Sequence, residues 1–565
     1  MKIKHLLGSE KRQKETGNDR SFLLGNDHGD YLWLGDLPES RYQGWFIADR
    51  KNREKVYKII EDIRPVGRSR IEKIENKLSL VTRKGTDFEE TFSLDSKTGR
   101  FFYNLSEEKE IEIVLDIRDS YSDDYPEYKI EKVDDLLLIT RTNDYNIYLA
   151  IKGFSSFKKV EERFVRNYNL DKERNSPPFE KAVFKALIIS GQEISFSAST
   201  SREEAVSALG KGVDIKKYSN RREPLDFVVA EKGLDNLVVD SEKIYAGFPW
   251  FFQFWKRDEA ISLRGLDITS PEKAKNVFLS LINEDSRGPR GNKIGDGFGW
   301  TFKRAFLFLD RLSKEEESNL VELLRSLTEF NPEEPLKITD SKETWMDSIS
   351  REGARIEIQA LQLSMYKLGK IIDANRKKEY ERLESELKQR VRDIFWDGSM
   401  LADGYLPEKN QVDKTVRPNV FLSYYIYPDL LEENEWKTCF RRALYELWLD
   451  WGGLATISKE SPRFKEIYTG ENPESYHQGD SWFFVNNLSA IAMHRLDDGR
   501  FSNEINQILK ASREDLLWRG AIGHHSEISS AKEQRAEGAI SQAWSFATYL
   551  EALHEVFKIK NSSWN

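Results

Sequence analysis

Cysteine is almost missing from this chain: Cys439 is the only one in 565 residues. No intrachain disulfide is possible, a cysteine zinc site is excluded, and a reducing compartment fits. Long apolar runs are missing too. The stretch 1–9 lacks the apolar core of a signal peptide, and no segment approaches the roughly 18 apolar residues of a membrane span. A cytoplasmic protein with no membrane partner is expected. Basic excess is absent: 87 Lys and Arg stand against 96 Asp and Glu, a formal net charge of -9. That argues against a nucleic-acid partner and suits a neutral substrate. The patterns H-E-x-x-H, the phosphate loop and G-x-S-x-G do not occur, and no metal-ligand spacing is found. Neither a metal nor another cofactor is expected.

What the chain does have is aromatic surface. Trp, Tyr and Phe make up 12%, with Trp at 14, Tyr at 22 and Phe at 32. Such rings fill cores, and they are also the usual surface for the flat C–H faces of sugars. The length asks for more than one core. Residues 1–215 read as β-rich. Ile111, Ile113, Leu115 and Ile117 alternate with Glu110, Glu112 and Asp116, and Ile194 and Phe196 alternate with Glu193, Ser195 and Ser197. Leu136–Ile139 and Tyr145–Leu149 are further short strands, and the set suggests a sandwich-like domain. The polar stretch with Lys216, Lys217, Arg221, Arg222 and Pro224 reads as a linker over 216–240.

From 241 to 565 the period becomes helical. Leu361, Met365, Leu368 and Ile372 are spaced four, three and four apart, and Tyr380, Leu383, Leu387, Val391 and Ile394 follow the same rule. Ala543, Ala547 and Leu550 lead on to Phe557. No fixed-length repeat is present, which disfavours a solenoid and favours a closed barrel of helix hairpins.

Polar clusters sit at the edges of these helices. They carry Trp255, Arg257 and Asp258; Asp296 and Trp300; Trp345 and Asp347; Glu357; Arg417; His477, Gln478 and Trp482; and Glu527 with Glu537. Singly, each has a structural explanation, such as a helix N-cap for Asp258 or Asp347 or a core position for Trp482. Together, on loops converging at one end of a helical barrel, they describe a pocket where rings stack and polar groups hold hydroxyls. Two carboxylates there suit acetal cleavage.

In order, these segments resemble the glucosidase half of glycogen debranching enzymes, the amylo-α-1,6-glucosidase family. Ala246–Trp250 with Trp255–Gly265 is similar to its A-G-Y-P-W and W-G-R-D-T-F-I-S-L-R-G. Glu343–Ser348 is similar to T-W-M-D-A, and Ser350–Leu361 to P-R-x-G-x-x-V-E-I-N-A-L. Arg417–Asn419, Tyr476–Gly479 and Ser541–Trp544 also match, and Gly25–Trp45 is similar to a motif of the family's N-terminal domain. The resemblance implies a multidomain chain, β then α: a β-sandwich-like N-terminal domain followed by an (α/α)6 barrel. It implies release of glucose from α-1,6 branch points of glycogen or limit dextrin by inversion. Asp347 takes the place of the general acid. Glu537 stands at the base's interval from Q-A-W, with Glu527 and Glu357 as rivals. Inversion implies a carboxyl separation of roughly 6.5–9.5 Å. Trp255, Trp300, Trp345 and Trp482 are expected to wall the pocket, and Arg257, Asp258, Arg417, His477 and Gln478 to hold glucose hydroxyls. Two departures stand out: Lys256 replaces the glycine of W-G-R-D, and Asp480-Ser481 follows Tyr-His-Gln-Gly in place of Thr-Val. The alternatives are an exo-acting α-glucosidase or glucoamylase on 1,4 links, a trehalase, or a non-catalytic glucan-binding protein. A terpene-cyclase-like barrel would need acidic metal clusters, which the sequence lacks.

Overall fold

The computed structural model describes residues 2–15, 21–143, 145–212, 214–215, 223–283, 295–328 and 335–559. Two compact units emerge. The first is Met1–Asp240 with Gly247–Gln253 and Leu516–His525; the second is Ser241–Ala246, Phe254–Asp515 and Ser526–Asn565.

The first unit is dominated by one 14-stranded sheet. Its spine is three long strands, Arg100–Asp119, Ile147–Asn167 and Glu180–Ser199, with Glu180–Ser199 lying between the other two and antiparallel to both. Strands of 20 residues are far longer than the usual 5 or 6. Register shifts at Asn104/Lys109 and Ile113/Val114 break Arg100–Asp119 into shorter straight runs, as β-bulges do. The apolar half of the expected alternation holds: Ile111, Ile113, Leu115 and Ile117 are fully buried, and so is Phe196, which stacks on Phe101 at 4.9 Å; the polar half does not, because Asp116 and Ser197 are buried as well. Val56–Pro65 pairs with the other edge of Arg100–Asp119 and leads through Gly44–Ala48 to Tyr31–Leu34 and Phe22–Gly25.

Part of the expected linker is regular structure. Leu225–Asp235 is a helix, with Phe227, Val229, Ala230 and Leu234 fully buried. The flanking basic residues concealed this apolar run, and Lys216, Lys217, Arg221 and Arg222 lie outside the described residues.

The second unit is helical. The three periodic segments of the sequence are the helices Ile356–Ile372, Lys377–Phe395 and Ala543–Phe557. Six helices close a ring of neighbour contacts: Lys256–Thr269 packs on Gly297–Ala305, that on Ile356–Ile372, then Asn419–Ile426, then Phe483–Glu514, then Ala543–Phe557, which returns to Lys256–Thr269. Phe483–Glu514 is broken at Asp497, whose backbone is not helical. Ring helices are buried on most sides, and Lys256–Thr269 buries charged residues as well as apolar ones. Outer helices such as Lys377–Phe395 and Lys314–Leu327 keep one buried stripe. No helix among the described residues is long and apolar enough to cross a membrane.

The ring closes at a glycine. A Cβ on Gly265 would lie 2.3 Å from the Ala547 carbonyl oxygen and 2.4 Å from its Cα. An exposed mid-helix Gly→Ala change gains about 1 kcal/mol of helix propensity. In this ring the backbone of a neighbouring helix fills the space, so the sign reverses. Gly265→Ala is expected to destabilise by about 1–3 kcal/mol, as overpacking does, read as a lower urea midpoint. An unchanged or raised midpoint would contradict this packing.

Candidate active site

The chemistry collects where ring helices begin and in the loops that lead into them. Arg257, in the first turn of Lys256–Thr269, is the hub. Its Nε donates to both oxygens of Asp296 at 2.7 and 2.8 Å, and Nη1 donates to Asp347 Oδ2 at 3.2 Å. Burial opposes the guanidinium charge, but Asp296 and Asp347 more than offset it and hold its pKa above the ordinary value. Asp296 ends the loop before Gly297–Ala305, and Asp347 follows Trp345 in the loop before Ile356–Ile372.

The carboxylates around Arg257 are shifted upwards. Burial raises Asp347, while Arg257 works against the rise. Its side chain is nevertheless 48% exposed. Asp258 lies well above the usual carboxylate range, first through burial and then, against the pull of Arg257, through Glu527, Asp347 and Asp296. Gln542 Nε2 donates to its Oδ1 at 3.3 Å.

Glu527 is buried and held at both oxygens. The Tyr476 hydroxyl donates to Oε1, and the Ala539 amide donates to Oε2 at 2.9 Å. Gly538 makes this approach possible. It sits at φ +67°, and a Cβ there would come within 2.3 Å of Glu527 Oε2. Burial, then Glu527 and finally Asp347 drive the Tyr476 pKa well up, so the hydroxyl stays a donor. Asp347 and Glu527 thus act on the same two neighbours, Asp258 and Tyr476. Glu537 has a different setting. It faces Ile528 in a short ladder, and its Oε1 is 2.9 Å from Nε of Arg535, whose side chain is 60% exposed.

The remaining expected residues fall into three groups. Trp345, His477 and Trp482 form one aromatic cluster: His477 stacks on Trp482 at 4.8 Å and 8°, and Trp345 meets both edge-on. Burial first, then Arg417, Arg351 and Arg257, push His477 well down, so it is neutral. It shares a 2.6 Å hydrogen bond with Ser348 Oγ through Nδ1.

Glu357 and Arg417 belong to the buried support beneath. Arg351 donates to Glu357 at 2.7 and 3.2 Å and to Asp403 at 3.0 and 2.9 Å. Asp403 accepts from Asn419, which accepts from Trp345 Nε1 at 2.8 Å. Arg417 donates to the carbonyls of Thr456 and His477, and burial, against Asp403, brings its pKa down to about 10.

Three residues stand apart. Trp300 is buried against Tyr425 and Arg304, farther down its helix. Gln478 Nε2 turns to the Glu474 carbonyl at 3.4 Å. Trp255, at the N-cap of Lys256–Thr269, is 37% exposed.

Asp403 lies in none of the sequence motifs, so nothing in residue order marks it. Arg351 and Tyr476 do lie in such motifs, yet their partners could not be read there.

Asp480, the departure after Tyr-His-Gln-Gly, is fully buried. Ser475 Oγ donates to its Oδ2 at 2.6 Å, and Oδ1 has no partner among the described residues. Burial raises its pKa to about 8, Ser475 opposing and Glu537 and Glu527 adding to the rise.

With this geometry in place, comparison with known proteins gives the class and then the family. Residues 328–551 match a family of glycosidases. The family they match is described as Amylo-alpha-1,6-glucosidase, which bears out the resemblance over that stretch. Among solved structures, a glycosidase variant in complex with glucose is similar at 11% identity and a TM-score of 0.45, covering 59% of this chain and 97% of that one. A GH63 mannosylglycerate hydrolase from Thermus thermophilus, in complex with Tris and D-glycerate, is similar at 12% identity and a TM-score of 0.44, covering 58% of this chain and 99% of that one. No curated protein matches the chain.

Asp480 yields a stability prediction with a fixed sign. Its folded pKa exceeds its unfolded one, so the folded state binds more protons between about pH 4 and pH 8, and stability falls as pH rises through that window. Each tenfold difference in proton affinity between the two states is worth about 1.4 kcal/mol. Asp480→Asn keeps an acceptor for Ser475 and abolishes the titration. The variant should unfold at a higher urea concentration than the parent at pH 8, with the difference vanishing towards pH 4. Equal midpoints at pH 8 would mean that Asp480 ionises freely in the fold.

Proposed function

We propose that the chain releases glucose from α-1,6 branch points of an α-glucan by inversion, with Asp347 as general acid and Glu527 as general base. The carrying observation is that Asp347 is held by Arg257 at 3.2 Å, while Glu527, on a separate loop, is held by Tyr476, which packs on Trp482 in the same aromatic cluster as Trp345, two residues from Asp347. The closed sequence of ring helices supports reading the second unit as an (α/α)6 barrel, with the pocket at the helix N-termini.

The roles follow from the surroundings. Asp347, raised by burial, keeps its proton to a higher pH than a free aspartate and gives it to the glycosidic oxygen. Arg257, at 3.2 Å, then stabilises the carboxylate that remains. Glu527 accepts hydrogen bonds at both oxygens, which fix its orientation, and takes a proton from the water attacking the anomeric carbon. Water attacks from the face opposite the leaving oxygen, so the first product is β-glucose. Glu537, salt-bridged to an exposed arginine, is less suited to the base position than its interval from Q-A-W implies. Trp345, Trp482 and neutral His477, expected to meet the sugar, are instead buried against one another and brace the loop that carries Asp347.

Isomaltosyl, maltosyl and trehalose substrates and limit dextrin, scored for released glucose, test the linkage. Asp347→Asn and Glu527→Gln should each lower kcat by roughly 10²–10⁴-fold, the range of a lost acid or base. Glu537→Gln should stay within a few-fold of the parent. Loss of turnover in Glu537→Gln with Glu527→Gln near wild type would return the base to Glu537, and near-wild-type Asp347→Asn would remove the mechanism altogether.

A pH profile separates Arg257 from a purely structural role. Arg257 lowers the Asp347 pKa, so Arg257→Gln leaves the acid protonated to higher pH. The alkaline limb of kcat/KM should move upwards, whatever the loss in absolute rate. A limb that stays put or moves down would show that the limb does not report Asp347.

A further inference from the structure

The same ring helices line a cavity about two to three turns beyond their starts. Lys256–Thr269 supplies Arg264, Gly297–Ala305 supplies Lys303 and Arg304, and Ile356–Ile372 supplies Lys367. Phe483–Glu514 supplies Arg495, and Ala543–Phe557 supplies Glu551 and Glu555. The cavity measures about 480 Å³, within the size range of small-molecule sites.

Most of its charges are already matched. Arg304 pairs with Glu551 at 3.1 Å, Arg495 with Glu555, Arg264 with Asp267 at 3.2 Å, and Lys367 with Asp429 at 2.6 Å. Lys303 is the exception: among the described residues no carboxylate lies within ion-pair distance. Its Nζ donates to the Ile426 carbonyl at 2.7 Å, which satisfies one of three protons. Tyr425 lies within the same wall, with the Arg495 guanidinium 4.8 Å from its ring centre.

We propose that this cavity is a binding site for a phosphate-bearing small molecule, whose anionic group sits against Lys303 and is flanked by Arg495 and Lys367. Five cations line the cavity against Glu551 and Glu555, and Lys303 is the cation that no described carboxylate pairs with, so the excess charge attracts an anion. Lys303 caps the end of Asn419–Ile426, which explains a cation there but not the open volume around it or the two further cations on its rim. The site does not rest on the proposed glycosidase activity.

The titration of Lys303 gives the site a signature. Burial, with Arg495 and Arg304 adding to it, pushes its pKa down to about 7, while Glu551 opposes and Lys367 adds further. An anion favours the charged form and raises that pKa, so binding above pH 7 takes up a proton. Affinity for an anion of fixed charge should therefore fall by up to roughly tenfold per pH unit above pH 7 and level off below it.

Calorimetry on the full chain tests this with sulfate, a dianion across the range, and with inorganic phosphate and glucose 1-phosphate. One saturable site is expected for all three, with sulfate binding weakening from pH 7 to pH 9. Lys303→Met should weaken binding at least tenfold and abolish the pH dependence, while melting no lower than the parent, since it removes a buried charge that other cations repel. Lys367→Gln, on a partly exposed side chain, should weaken binding several-fold in a protein that folds normally. Tighter binding of glucose 1-phosphate than of phosphate would assign a sugar phosphate, and equal binding the phosphate group alone. No saturable binding at millimolar sulfate, or binding that both variants leave unchanged, would overturn the site.

Discussion

One guanidinium organises the pocket of the helical unit. Arg257 reaches two carboxylates that come from different loops, Asp296 and Asp347, and is the charge that a third, Asp258, answers to. Without it the buried acids would lose their shared counter-charge, and burial would drive all of them to the neutral form. With it the site holds carboxyl groups of graded character: Asp296 closely paired, Asp347 singly contacted and open to solvent, and Asp258 pushed furthest up. Graded acidity among near neighbours is what acid–base chemistry requires, and a single well-placed arginine creates it.

The helices make that placement possible. First turns expose unpaired N–H groups and carry the positive end of each helix dipole, so acids gather there at lower cost. Farther along, the same helices bring Lys303, Arg304, Lys367 and Arg495 together with Glu551 and Glu555. Beneath the acids around Arg257, the run from Trp345 through Asn419 and Asp403 to Arg351 and Glu357 satisfies its own buried polar groups and fixes the tryptophan beside Asp347.

Much of this was legible from residue order alone. Period-two runs became strands, period-3.6 runs became helices, and the residues beside Arg257 stood out because acids, arginines and tryptophans clustered at helix edges. What periodicity cannot supply is which atoms meet across distant segments. Glu357 looked like a rival for the base, but Arg351, six positions earlier, holds it in the buried support. Trp300 shares a motif with Asp296, yet one helical turn carries it away from the first-turn cluster towards Tyr425. The helix at Leu225–Asp235 was hidden by the basic residues before it.

The choice between Glu527 and Glu537 shows where that boundary lies. Counting back from Q-A-W selects Glu537, but an interval fixes only a position along the chain. Glu527 is paired in the ladder through its neighbour Ile528, and Ile528 stands opposite Glu537, so the two glutamates lie on adjacent strands a few ångströms apart in backbone terms. What separates them is the turn between. Gly538 lets the chain fold tightly against the Glu527 carboxylate, and the Ala539 amide and Tyr476 hydroxyl close on it. Glu537 turns to Arg535 instead. A backbone conformation that only glycine adopts readily thus lets one of two neighbouring carboxylates be gripped by an amide and a hydroxyl, and a motif count has no means of registering it.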